Sequence, residues 1–181
     1  MARRFPWKAV AAGSAALGVL GVAVLLGGKK KPAPPQRVAL IGDSYAVGLG
    51  PELQKLLPNL QYEGHVGVST AGWLNQTPLY ADWLPAFQPT LVLVSLGVND
   101  GSAPNASNYQ AIVRALHGAG SRVVWIEPPA GVSAPAVRSV IASLGVPTVP
   151  AFQTPMAADG LHPANYSQWA MDIAQAITQG S

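Results

Sequence analysis

From Arg37 onward, short apolar runs alternate with stretches whose apolar residues recur at helical spacing. Val38–Ile41 (VALI) is an apolar run that stops at Gly42-Asp43-Ser44, and beyond it a helix can run from Tyr45 or later to Leu57, ahead of Pro58. Tyr62–Val66 reads as a weak second strand. Leu91–Leu96 (LVLVSL) is a strong third, apolar toward both faces, as a strand in the middle of a parallel sheet must be. Asn108–His117 puts Ile112, Val113 and Leu116 on one helical face, with Gly118 and Gly120 as its stop. Arg122–Ile126 (RVVWI) predicts a fourth strand and Val137–Leu144 a helix closed by Gly145. Val146–Val149 predicts a short fifth strand, and Ala164–Thr178 a final helix with Trp169, Ile173 and Ile177 inward. Strands alternating with helices predict an α/β fold with a parallel sheet covered on both faces. No internal repeat is visible.

The N-terminal residues follow a different pattern. Residues 9–28 form an uncharged run of 20 residues, flanked by Arg3, Arg4 and Lys8 on one side and Lys29–Lys31 on the other. As a helix this run would be ~30 Å long, the hydrocarbon thickness of a bilayer. A secretory signal peptide is the competing reading, but its apolar stretch is usually only ~7–15 residues and ends in a small-residue cleavage site. Here the lysines occupy the place of that site and Ala33 precedes a proline, so a retained transmembrane helix fits better. Flanking charge is nearly balanced, with a slight bias toward an N-terminus inside and the domain outside. The organisation expected is therefore a basic N-terminus (1–8), an anchor or signal segment (9–28), a Lys/Pro-rich spacer (29–36) and one domain (37–181). If the segment is cleaved, the domain is secreted.

Composition narrows the function. Of 181 residues, 49% are hydrophobic and 10% charged, against ~25% charged in an ordinary soluble protein, which excludes a disordered chain. There is no cysteine, so disulfides, thiolate metal sites and a cysteine nucleophile are excluded. The net charge of +3 suggests nucleic acid until the charges are located. Residues 1–37 hold seven basic residues and no acidic one, whereas the remainder holds four basic against eight acidic, a net charge of −4. The domain is acidic, its basic side chains are scattered, and no nucleic-acid footprint remains.

The candidate chemistry lies at strand ends, where α/β sheets bind ligands. Ser44 follows the first strand at the mouth of a helix, where a backbone N–H can face a developing oxyanion. Gly67 follows the second strand and lets backbone approach a substrate without a Cβ. Asn99, in Gly97-Val98-Asn99-Asp100, follows the third and carries an amide donor. Asp159 and His162, in Asp159-Gly160-Leu161-His162-Pro163, precede the last helix at a spacing that lets the carboxylate reach the imidazole. Each motif alone is more often a helix cap, a turn or a solvated loop; their arrival together at successive strand ends is not.

These four blocks, Gly42-Asp43-Ser44-Tyr45, Gly67-Val68-Ser69-Thr70, Gly97-Val98-Asn99-Asp100 and Asp159 to Pro163, resemble those of the SGNH (GDSL-type) hydrolases. Tyr45 stands where that family often has Leu. The resemblance spans the chain from Arg37 to the final helix and implies a flavodoxin-like three-layer α/β/α sandwich around a five-stranded parallel sheet. It also implies a serine esterase in which Ser44, His162 and Asp159 form a triad. Ser44 and Gly67 backbone N–H groups and the Asn99 side chain would then form the oxyanion hole. The implied substrate is a small-molecule, lipid or carbohydrate ester, with short acyl chains favoured because no insertion is long enough for a lid. The alternative is a binding or structural module that keeps the fold without turnover. No cofactor or metal is needed, and His65 and His117 read as surface or helix-end histidines without ligand-spaced partners. Trp73 and Trp83 stand where a substrate could touch them, although packing is the simpler reading; Trp125 belongs to the core, and Asp100 and Glu127 are structural.

The anchor reading has a direct physical test. Twenty uncharged residues exposed to water would form an apolar surface larger than soluble monomers show, whereas a bilayer satisfies both their backbone and side chains. The full-length chain should sediment with membranes, resist carbonate and high salt, and dissolve in detergent, while a chain beginning at Pro35 should be soluble. A soluble mature protein beginning after residue 28 would instead identify a cleaved signal peptide.

Overall fold

The central strands are apolar on both faces, and that forces a layer of helices onto each. The computed structural model describes residues 36–80 and 82–179; the expected membrane segment at 9–28 lies outside them. The chain runs β1 (Val38–Gly42), α1 (Ser44–Leu56), β2 (Leu60–Gly64), α2 (Thr70–Tyr80), α3 (Leu84–Phe87), β3 (Leu91–Ser95), α4 (Ala106–Gly118), β4 (Arg122–Ile126), α5 (Pro135–Ser143), β5 (Thr148–Val149) and α6 (Tyr166–Gln179). A 3₁₀ turn, Val98–Asp100, follows β3. Among the described residues no helix is long and apolar enough to cross a membrane.

The strands form one parallel sheet in the order β2-β1-β3-β4-β5. Alternate residues of each strand feed two separate cores. Ala39, Ile41, Val92, Val94, Val123 and Trp125 face one way and pack with residues of α2, α4 and α5. Val38, Leu40, Leu91, Leu93, Val124 and Ile126 face the other and pack with α1 and α6. Trp169, Ile173 and Ile177 of α6 and Ile112, Val113 and Leu116 of α4 are the inward-facing residues expected from their spacing.

The differences from expectation lie at the periphery. β2 begins two residues earlier than the predicted Tyr62–Val66, because only Leu60 is fully buried on this edge strand and no apolar run marks it. The apolar spacing predicts neither α2 nor α3. The sequence of α2, TAGWLNQTPLY, shows no continuous apolar stripe, and α3 is a single turn.

Two glycines fix how the strands end. A Cβ on Gly42 would lie 2.2 Å from the Ser95 carbonyl oxygen, so only glycine lets β1 and β3 close together here. Gly97 adopts φ of +123°, a conformation side chains rarely take, and its hydrogen faces the Tyr109 hydroxyl. Beneath that turn Tyr109 stacks on Trp125, whose indole N–H donates to the Leu96 carbonyl at 3.1 Å. Trp125 is a core residue, as its strand position implies.

Candidate active site

The order of the sheet reverses at β1, which has β2 on one side and β3 on the other. Connections leave in opposite directions there and open a crevice at the carboxyl ends, the place where α/β sheets bind ligands. Ser44 stands after β1 and Asn99 after β3. The two strand ends are joined directly, since Asp43 N–H donates to the Ser95 carbonyl at 3.0 Å.

Ser44 is the first residue of α1, so its N–H has no preceding helical carbonyl to bond. Asp43 caps the helix by accepting the Tyr45 N–H on Oδ1 at 3.0 Å. The cap keeps α1 starting at Ser44. Ser44 Oγ lies 3.0 Å from His162 Nε2, and His162 Nδ1 lies 2.7 Å from Asp159 Oδ2. With Nδ1–H donating to the carboxylate, Nε2 carries the lone pair that faces the serine hydroxyl.

The loop bearing His162 is built around Asp159. Its Oδ1 accepts the backbone N–H groups of Leu161 and His162, both at 2.9 Å, which leaves Oδ2 for the imidazole. The backbone N–H of His162, its ring and the Leu161 N–H hold the carboxyl down at about 2, so Asp159 stays an anion at neutral pH. A bridge between Met156 and Pro163 and the Ala157 N–H bond to the His162 carbonyl close the loop on itself.

Tyr45 ties this loop to the helix that begins at Ser44. It is 2% exposed, and its hydroxyl donates to the Leu161 carbonyl at 2.9 Å. Its ring meets His162 edge-on, with centroids 5.9 Å apart, and Trp169 likewise at 5.3 Å. Burial raises its phenol pKa, so the hydroxyl remains a donor. Tyr45, which stands where the resembling blocks often have Leu, thus holds Ser44 and His162 in register. Sequence reasoning saw the departure and missed its use, because the bond joins residues 116 positions apart.

Gly67 and Asn99 are brought to the same end of the sheet. Gly67 is exposed with φ of +76° and open space where a Cβ would be. Its segment is held on both sides. His65 N–H donates to the Gly42 carbonyl at 3.0 Å, and Asn99 Nδ2 donates to the Val68 carbonyl at 3.1 Å. That bond uses one of the two amide hydrogens of Asn99 and fixes the direction of the other. Asp100 takes the Thr70 N–H and hydroxyl at 2.9 and 2.7 Å, the structural role its position suggested.

The aromatic and histidine candidates resolve differently. Trp73 is buried in the core and Trp83 is half-buried against it, its indole N–H donating to Glu63. His117 is exposed in the last turn of α4. His65 differs from the expected surface histidine: it is half-buried and bonded through Nε2 to Glu63 Oε1 at 2.7 Å. The i,i+2 placement at the end of β2 was the available signal. Among the described residues no group of three or more His, Asp or Glu side chains is arranged to hold a metal ion.

A scan against protein-family models and a search of curated proteins give no match. Solved structures do match. The lipase/acylhydrolase from Enterococcus faecalis superposes with a TM-score of 0.61 at 18% identity, over 80% of this chain and 96% of that one. A GDSL-like lipase from Bacteroides thetaiotaomicron gives 0.60 at 18%, over 81% and 90%. An acetyl xylan esterase gives 0.59 at 16%, over 77% and 99%. At such identities the likeness is one of fold, and that fold is the one the four sequence blocks implied.

One acid beside the nucleophile behaves unlike Asp159. Asp43 is fully buried, its Oδ2 has no hydrogen-bond partner among the described residues, and burial pushes its carboxyl up to about 7 against the pull of the Tyr45 N–H and its own. The folded protein therefore binds a proton here that the unfolded chain releases near its ordinary value of 3.8. The contribution of this group to stability is therefore lost as pH rises from about 4 through 7. The substitution Asp43→Asn keeps an oxygen to cap α1 and removes the titration. Denaturant midpoints of this variant should exceed wild type at pH 8 and lose their advantage at pH 4.5; parallel pH profiles for the two proteins would show that Asp43 does not titrate in this range.

Proposed function

We propose that this chain is a serine ester hydrolase of the SGNH type. In this reading it forms an acyl-enzyme on Ser44 and is tethered to a membrane by residues 9–28, with the domain on the extracytoplasmic side. The observation that carries the reading is the continuous relay from Ser44 Oγ through His162 to Asp159, 3.0 and 2.7 Å, set in the crevice where the sheet order reverses. The names of the superposing structures, lipase, acylhydrolase and acetyl xylan esterase, support the reaction class. The substrates favoured are short-acyl esters, acetylated carbohydrate among them.

The reaction follows from the groups in place. Ser44 Oγ attacks the ester carbonyl while His162 Nε2 takes its proton, and the Asp159 carboxylate stabilises the imidazolium so formed. Negative charge develops on the carbonyl oxygen, where the Ser44 N–H, the Gly67 N–H and the second Asn99 amide hydrogen can donate. The imidazolium returns the proton to the departing alcohol, leaving an acyl group on Ser44. Water then attacks the acyl carbon, gives its proton to His162, and the acid leaves as Ser44 recovers its hydrogen.

Ser44→Ala and His162→Ala should each lower hydrolysis of p-nitrophenyl acetate by at least ~10⁴-fold, since members of a triad act as a unit. Asn99→Ala should lower kcat by ~10²–10³ with little change in KM, because its hydrogen bond strengthens only as the oxyanion forms. Substantial turnover by folded Ser44→Ala, or an Asn99→Ala effect confined to KM, contradicts these roles.

A further inference from the structure

Beside Asn99 a cleft of about 270 Å³ opens between the loop carrying Ser69, the turn after β3 and the start of α4. Among the described residues its polar wall is made by Ser69, Asn99, Asp100, Asn105 and Asn108, and its apolar side chains are those of Ala71 and Ala103. Two of these residues already border the reaction, Asn99 through its amide and Ser69 two positions after Gly67.

What the wall offers a ligand follows from which atoms are already used. Each Asp100 carboxylate oxygen accepts one hydrogen bond from Thr70, which leaves a further acceptor site on both. Ser69 Oγ accepts the Gly72 N–H at 3.1 Å, which leaves its hydroxyl hydrogen free to donate. Asn105 Oδ1 caps α4 by accepting the Ser107 N–H at 3.0 Å, so its Nδ2 hydrogens are left over. Asn108 is half-buried in the first turn of α4, and its side-chain amide, with both donor and acceptor, has no bond to protein among the described residues. Among the described residues the cleft therefore presents neutral amide and hydroxyl groups beside one carboxylate, with no cation.

That lining discriminates between ligand classes. The lining is about equally polar and apolar, but its apolar area is small, so a long acyl chain would gain little there. An anionic headgroup would meet Asp100 and no Lys or Arg to neutralise it. A neutral polyol can satisfy the amide and hydroxyl groups, and the cleft lies at the small end of ligand sites, ~300–1,000 Å³. An acetyl group is too small to fill it, so the part of the substrate lodged there is the alcohol.

We propose that this cleft is the alcohol subsite of the enzyme and takes a sugar ring of an acetylated carbohydrate, with Asn105 and Asn108 as specificity-determining residues. The proposal rests on the ester-hydrolase reading above. On it, acetylated sugars and simple aryl acetates share the acyl-enzyme and differ only in what fills the cleft, so the two substrates separate recognition from chemistry.

The test compares kcat/KM for acetylated xylobiose and for p-nitrophenyl acetate in wild type, Asn105→Ser and Asn108→Ala. Asn105→Ser keeps an oxygen to cap α4 and removes the donor, and Asn108→Ala removes an amide from the helix surface; circular dichroism checks the fold of both. Each substitution should lower the ratio of sugar-ester to aryl-acetate kcat/KM about tenfold, the consequence of one lost hydrogen bond, with the change mainly in KM. An unchanged ratio, a parallel fall on both substrates, or a wild type that cleaves p-nitrophenyl acetate but not the acetylated sugar overturns the subsite and leaves the hydrolase standing. A folded wild type that cleaves neither ester removes the underlying reading, and the subsite with it.

Discussion

The close approach of β1 and β3 at their carboxyl ends is the constraint on which the rest depends. Gly42 has no Cβ to collide with the Ser95 carbonyl, and that carbonyl accepts the Asp43 N–H. Once the strands are pinned, Asp43 is buried, α1 must begin at Ser44, and the turn after β3 must begin beside it. The Gly97 conformation, seated over the Tyr109–Trp125 stack, then aims Asn99 across the same crevice. A strand register alone thus delivers a hydroxyl, a free helix-end N–H and a side-chain amide to one place.

The base arrives from the opposite end of the chain, and here the fold uses side chains instead of strands. Asp159 spends one oxygen ordering its own loop and the other orienting His162. Tyr45 then couples that loop to the helix of the nucleophile. The two aspartates flanking this machinery occupy contrasting environments. Asp159, exposed and bonded by backbone N–H groups, is held at about 2, whereas Asp43, desolvated with one oxygen unpartnered, is pushed to about 7.

Much of this was legible in the sequence, and the reason is physical. β1, β3 and β4 are buried on both faces, so they appear as unbroken apolar runs, and helices α4, α5 and α6 each bury one stripe. The chemically distinctive residues sit at strand ends, where a parallel sheet exposes them in chain order. What was not legible has equally physical causes. The edge strand β2 is half solvated, so its bounds carry no apolar signature, and α2 has no continuous stripe. Tyr45 to Leu161, Asn99 to Val68 and Trp83 to Glu63 are tertiary bonds between distant positions, and nothing local in the chain encodes them. The cleft at Asn105 and Asn108 is invisible for the same reason, since only folding sets α4 beside the Ser69 loop.

The central claim is that Ser44 is a nucleophile activated by His162, and covalent labelling reads that most directly. The full-length protein, solubilised in detergent, is treated with a fluorophosphonate probe and the modified residue is located by mass spectrometry. A single adduct on Ser44, whose rate of formation collapses in a folded His162→Ala variant, is the predicted result. A folded protein that takes up no probe, or carries it on another serine, would contradict the account.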